Sequence, residues 1–379
     1  MTFQARAALA ATLIAVAALS PRASLAADPQ AVADALVAAV EAGTDSTVTF
    51  GEASAEGDDV VITDLAFSGP DGEGRMVFSR TVITAPEERS EGGFESEQME
   101  MTEGTLSGEG SGSIESATAY AVTVLSTEEI AAQKLTQGIL YETVEINDVA
   151  FKLEDQPGEV AIAYVEINAE DVVDNVPQAS SGMAEGITVP ASVFGEGPMT
   201  PQALGYEALE LEVTWEGARD PATNELTIDE VTLTLVDGGS LTLSGQIGNV
   251  PFASMDDPAA SATAARDITL HNVRLHYEDE SLTPRLLDAF AASQGVTGEQ
   301  YAQQLAGALP FLLAAINNPA FQQEVASAVG AFLQDPQSLT IEVAPGEPIT
   351  GAEIMQIVGS APQTLPDRLN ARVIANGAQ

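Results

Sequence analysis

Hydrophobic and polar residues alternate over long stretches of this chain. Leu209, Leu211, Val213 and Trp215 are interleaved with Glu210, Glu212, Thr214 and Glu216, the pattern of a strand with one buried and one solvated face. The run Leu226–Leu235 continues in the same period. Asp237-Gly238-Gly239 then supplies a tight turn into Leu241–Gly245, which predicts a β-hairpin. Pro70–Gly74 and Gln156–Glu159 separate similar pairs of alternating segments. From about residue 44 to 279 the period is two, which predicts mostly antiparallel sheet. The glycine- and glutamate-rich stretch Ser90–Ser113, with Met99, Met101 and Ile114 nearby, predicts twisted, mostly exposed strands with loose loops.

A weak repeat runs through this half. It reads aliphatic, any residue, acid or asparagine, aliphatic, any residue, Phe or Leu. It occurs at Ile62-x-Asp64-Leu65-x-Phe67, Ile146-x-Asp148-Val149-x-Phe151, Ile228-x-Glu230-Val231-x-Leu233 and Leu270-x-Asn272-Val273-x-Leu275. The starts lie 84, 82 and 42 residues apart, so a unit of about 42 residues accounts for all four, with a poor match near Met101-Thr102-Glu103. Two adjacent apolar-to-polar positions in the motif fall on opposite faces, which predicts a bulge that switches the pleat. Units of roughly four strands, stacked side by side, would form one elongated sheet.

The last hundred residues change to a helical period. Thr283-Pro284 reads as an N-cap and first turn, followed by Leu286, Leu287 and Phe290 and stopped at Gly295. Thr297-x-x-Gln300 is a capping box opening a helix with Leu305, Leu309, Leu312 and Ile316 on one stripe. Asn318-Pro319 opens another, carrying Phe321, Val325, Val329 and Phe332. Leu339, Ile341 and Val343 read as a strand, Thr350-x-x-Glu353 as the start of a shorter helix, and Arg372–Ala375 as a last strand. The predicted class is α+β: an elongated, mostly antiparallel sheet over residues 27–280 with a helical, mixed C-terminal cap over 281–379.

The first 26 residues read as a cleavable export signal. Arg6 closes a short basic region, Ala7–Leu19 is apolar, Pro21 breaks the helix, and Ser24-Leu25-Ala26 offers small residues to a signal peptidase. The apolar run is too short to span a bilayer, and the mature chain is expected to have no transmembrane span. The expected location is the periplasm, with secretion as the alternative.

Composition narrows the function. With 57 acidic residues against 13 basic ones, a net charge of −44, the chain repels nucleic-acid backbones and anionic lipid. It contains no cysteine, which excludes disulfides, thiolate metal sites and a cysteine nucleophile. Hydrophobic residues at 45% are too many for a disordered acidic chain. No nucleophile elbow, Ser-x-x-Lys pair, zincin motif, phosphate loop or EF-hand spacing is present. His271 and His276, the two histidines, lie five apart on a strand and are expected to be solvated and to face opposite sides. No cofactor and no metal is expected.

These residues lead to three readings. One is a soluble, non-enzymatic periplasmic protein with a sheet–helix groove for a lipid-like apolar ligand, lined by Leu305, Leu309, Leu312, Leu313 and Ile316. The second is a structural or interaction module of the cell envelope, with an envelope protein as partner and a filled core. The third is a hydrolase with dispersed carboxylates.

The export signal, the Ile-x-Asp-Val-x-Phe strands and the Leu241–Gly245 segment resemble bacterial periplasmic proteins of the AsmA-like kind, over roughly residues 60–279. Asn318–Gln322, Asp335–Thr340 and Ala361–Pro366 are similar to an uncharacterised exported bacterial family, over about residues 281–376. AsmA-like proteins keep an N-terminal membrane anchor, where this chain carries a cleavable signal. Neither resemblance implies a functional residue.

Overall fold

The computed structural model describes residues 27–377 apart from 45, 70–73, 109, 136, 155, 196, 198 and 251–264. The predicted export signal and most of the Pro70–Gly74 turn lie outside the described residues.

The alternating segments form one antiparallel sheet, as the period-two pattern predicts. Its long strands are β3 (Asp59–Ser68), β4 (Arg75–Ile83), β6 (Phe94–Ser107), β7 (Gly110–Val124), β9 (Thr143–Leu153), β10 (Val160–Glu170), β11 (Ala179–Pro190), β12 (Ala208–Asp220), β13 (Glu225–Leu235), β14 (Gly239–Gly248), β15 (Thr269–Asp279) and β16 (Ser338–Val343). Each pairs with the next in this order. β1 (Thr47–Thr49) and β2 (Ala53–Glu56) share the outer side of β3. β18 (Arg372–Ala375) closes the other end against β16. Short β5 (Glu87–Glu88), β8 (Ile139–Leu140) and β17 (Ile349–Thr350) extend β6, β7 and β15.

A sheet edge presents unpaired backbone N–H groups that invite another chain. Here a helix glutamate occupies one such group at each end. Val48 N donates to Glu41 Oε1 at 2.9 Å, and Val373 N donates to Glu324 Oε1 at 3.2 Å.

The loose, exposed strands expected at Ser90–Ser113 are instead two of the longest strands, β6 and β7. Phe94 and Met99 are buried in the core, and this inward face holds the pair in place despite the glycine-rich composition. Residues 27–280 also open on a helix that the period-two reading omits. In α1 (Pro29–Gly43), Asp28 caps Gln30 N, and Val32, Ala33, Leu36 and Ala39 are buried. A second short helix, α2 (Thr127–Gln133), starts at a capping box made by Ser126 and Glu129. These two helices pack on one face of the early strands, around Val60, Ile62, Leu65, Ile83, Phe94, Met99 and Val124.

The expected pleat switch is present, and it crosses the sheet as a line. Asp64, Glu103, Asp148 and Gly186 sit in β3, β6, β9 and β11 with φ of 51°, 53°, 48° and 62°. Register then shifts around Asp229 in β13 and His271 in β15. These are alternate strands, all running in the same direction. The 42-residue period is therefore two strands, and not the four expected, because each strand with its connection consumes about half of it. The poor sequence match at Glu103 hides a matching backbone.

The cap contains α3 (Leu282–Gln294), α4 (Gly298–Leu312), α5 (Pro319–Gln334), α6 (Gly351–Ser360) and α7 (Leu365–Leu369). Thr297, Asn318 and Thr350 cap as expected. α3 begins at Leu282, ahead of the expected Thr283 cap, because the Asp279 carboxylate of β15 reaches over to accept Thr283 N at 2.7 Å. The expected helix through Ile316 stops at Leu312 and tightens into one 3₁₀ turn, Leu313–Ile316. Pro310 brings no N–H to the last helical turn, and Asn317 at φ 53° reverses the chain.

Candidate ligand-binding face

The register aligns the apolar positions of successive strands into continuous cross-strand rows. One row runs Val60, Ile83, Met99, Ala119, Val144, Ile167, Gly182, Trp215, Val231, Leu243, Leu275, Ile341, Val373. The parallel row includes Met101, Ile146, Val165, Val213, Leu233, Leu241, Tyr277 and Leu339. Both lie on the face that α1 covers, the front of the sheet.

Burial along the front is uneven. Under α1, Val60 and Ile83 are 1% and 0% exposed. At the other end Phe332 of α5 sits edge-on to Tyr277, with ring centroids 6.0 Å apart. Between these covered ends the front is open at Leu233 and Leu241, 43% and 38% exposed, and beyond Tyr277 it is open again at Ile341, 42% exposed. Trp215 lies in the same stretch, and a Cβ on its cross-strand neighbour Gly182 would come within 2.4 Å of the indole. Gly182 thus lets the indole lie flat across β11. Among the described residues, the front is an apolar trough with helices over parts of both ends and exposed side chains on β13 and β14 between them.

The back is polar. One row there runs Thr118, Glu145, Glu166, Met183, Thr214, Thr232, Thr242, His276 and Thr340, with Met183 its one apolar member. Burial and the bond it donates to Glu166, 2.9 Å away, push the Tyr164 hydroxyl above its usual pKa. The amide of Asn168 and that hydroxyl hold the Glu166 carboxyl below the usual range. Across the bulge line Glu115 faces Asp148, whose carboxylate pushes the Glu115 carboxyl up.

The histidines do not behave as expected. The register shift at His271 breaks the alternation on which opposite facing rested. His276 is not solvated; its side chain is 13% exposed, with Nδ1 2.7 Å from Thr340 Oγ1 and Nε2 3.4 Å from Glu278. His271 Nε2 lies 3.7 Å from Glu225. Asp229, Glu230, Thr242, Ser244, Arg274 and His276 line a polar cleft of about 320 Å³. No group of three or more potential metal ligands occurs among the described residues.

The five apolar residues named from the sequence differ in exposure. Leu309 is buried inside the cap, Leu305, Leu313 and Ile316 are half-buried, and Leu312 is 63% exposed. The cavity between α3, α4 and the end of α5, about 300 Å³, is lined instead by Leu287, Asp288, Ala302, Gln303 and Leu333 among others. A stripe at helical spacing winds around a short kinked helix, so its members diverge once Pro310 and the 3₁₀ turn intervene. Leu233 and Leu241 are not singled out by the sequence, whose alternation places them on one face without showing whether that face is covered.

No helix among the described residues is long and apolar enough to cross a membrane. No curated protein matches the chain. The C-terminal part, from β13 through β18, is similar to a known group: a family model described only as an uncharacterized protein matches residues 232–376.

Proposed function

We propose that this protein is a soluble, non-enzymatic periplasmic carrier or sensor that holds a lipid-like apolar ligand against the front of the sheet, between β10 and β16. The observation that carries this reading is the pair of apolar rows left open around Trp215, Leu233, Leu241 and Ile341. An amphipathic sheet ordinarily buries its apolar face under another layer. Among the described residues, helices cover the two ends, while Leu233 and Leu241 on β13 and β14 face solvent between them, on strands about 4.8 Å apart. A flexible hydrocarbon chain fits such a strip, since it needs burial and no directional partners. The periplasmic part of the reading rests on Arg6, Ala7–Leu19 and Ser24–Ala26, and the resemblance to AsmA-like proteins supports it.

Organic extraction of gently purified protein followed by mass spectrometry, together with quenching of Trp215 by a spin-labelled fatty acid, tests the reading. The wild type should yield lipid and quench saturably. The double variant Leu233→Ser and Leu241→Ser, uncharged at two directly paired surface positions, should keep its fold and lose both. Absence of lipid and of quenching in the wild type would refute the carrier. Tight packing at the sheet's two ends favours the envelope-module alternative, which specific protein capture without lipid would select.

A further inference from the structure

We infer that the turn joining α4 and α5 is a docking tip that inserts into an uncharged lipid surface. Phe311 is 83% exposed, the most exposed large apolar side chain among the described residues, and its neighbour Leu312 is 63% exposed. They project where Pro310 and the 3₁₀ turn end α4. On a chain of net charge −44, no charged residue occurs between Glu299 and Glu324. The fold then ties a second uncharged run to the same place. Asn318 Nδ2 donates to the Gln363 carbonyl at 3.1 Å, which tethers the segment between Glu353 and Asp367 beside the tip. That segment includes α6, where Met355 and Val358 are 49% and 53% exposed.

Three features favour a bilayer over a protein partner. The tip is convex and built from two adjacent side chains, far short of the roughly 800 Å² that each partner of a stable protein interface buries. A lipid surface accepts a protruding apolar wedge without a matching pocket. Two carbonyls at the tip are satisfied internally: Gln322 Nε2 donates to the Leu313 carbonyl at 2.8 Å, and Asn317 N donates to the Ala314 carbonyl at 3.2 Å. Unpaired carbonyls there would resist leaving water. The remaining acidic surface selects against anionic headgroups, so the surface is one of zwitterionic lipid. The inference goes beyond the ligand reading, and its test separates the two.

Flotation of the full mature chain with phosphatidylcholine vesicles, compared with phosphatidylglycerol vesicles at low and high salt, is the experiment. The wild type should float with the neutral vesicles, float less with the anionic ones at low salt, and show a smaller difference at 0.5 M salt. The double variant Phe311→Ser and Leu312→Ser should lose at least tenfold in vesicle affinity with an unchanged melting temperature. It should still quench with a spin-labelled fatty acid delivered from detergent. No flotation of the wild type with neutral vesicles, or equal flotation of the variant, overturns the inference. A tip-dependent dimer in sedimentation without vesicle binding also overturns it, and assigns the tip to a second copy of the chain. Wild type that floats but does not quench leaves the tip standing and removes the trough ligand.

Discussion

Two phenylalanines of the cap should respond in opposite ways to the same substitution. Phe332 is 6% exposed and meets Tyr277 edge-on at 6.0 Å, while Phe311 is 83% exposed. Truncating Phe332 to alanine removes nearly a full aromatic transfer term, about 2–3 kcal/mol, and an edge-to-face contact of about 0.5–1.5 kcal/mol. The space left behind adds to this, so the total should fall at about 3–5 kcal/mol, the range for a buried aromatic. Phe311→Ala should fall within about 0.5 kcal/mol of wild type. Urea unfolding followed by circular dichroism at 222 nm weights the helices and so reads the cap. The slope against urea should be unchanged for Phe311→Ala. A loss below about 1 kcal/mol for Phe332→Ala, or above about 1.5 kcal/mol for Phe311→Ala, would refute the assignment of which face of the cap is buried. Phe332→Ala should also uncover the closed end of the trough and shift the Trp215 emission little, because the indole lies several strands away.

Other outcomes follow from the ion pairs, the bulge line and the charge. The Arg89 guanidinium, bonded at 2.9 and 3.0 Å, and the Ser126 donors hold the Glu129 carboxyl down at about 2. Its folded pKa lies below the unfolded value near 4.3, so its contribution is full above that pH and is lost as pH falls towards 2. Glu129→Gln should flatten this acid-side loss by roughly 1–3 kcal/mol in a pH series of urea melts, and an unaltered pH profile would show that the pair contributes nothing. Glu103 holds a left-handed conformation that asparagine adopts more readily, so Glu103→Asn should gain roughly 0.5 kcal/mol, and a lower melting temperature would contradict this. Melting temperature should rise with sodium chloride as the Debye length shrinks from about 10 to about 3 Å, and millimolar calcium at matched ionic strength should add nothing beyond it. A jump of several degrees with calcium would reveal a dedicated cation site.

Most of the sheet was legible because its rules are local. Alternation at Leu209–Glu216 places the strand, Asp237-Gly238 the turn, and the Asp64 and Asp148 motifs the pleat switch. Asp237, at φ 57°, and Gly239, at φ 147°, adopt the backbone that such a turn requires. The cap boundaries at Thr297, Asn318 and Thr350 were equally local. The period-two reading starts at about residue 44 and so passes over α1, which Asp28-Pro29 and the spacing of Val32, Leu36 and Ala39 announce. The trough was not legible for a different reason. Period two says that Leu233 and Leu241 share a face, and it cannot say whether anything covers that face. Coverage depends on register across many strands and on where distant helices land. The helical stripe through Leu309 and Leu312 has the same limit: periodicity finds an apolar side but not the neighbour that buries it.

The bulge line has a consequence for how such a protein changes size. Strands paired in sequence order with a two-strand period form a ruler: inserting one 42-residue pair in the middle would widen the front by about 9–10 Å. Both ends would keep their helices and their glutamate-blocked edges, and no residue already in contact would need to change. Inserting a single strand would instead reverse the direction of every strand that follows, and the cap would emerge at the opposite margin of the sheet. Duplication can therefore alter the length of what the front accommodates only in even steps, with its extent fixed by a count of hairpins and its chemistry left unaltered.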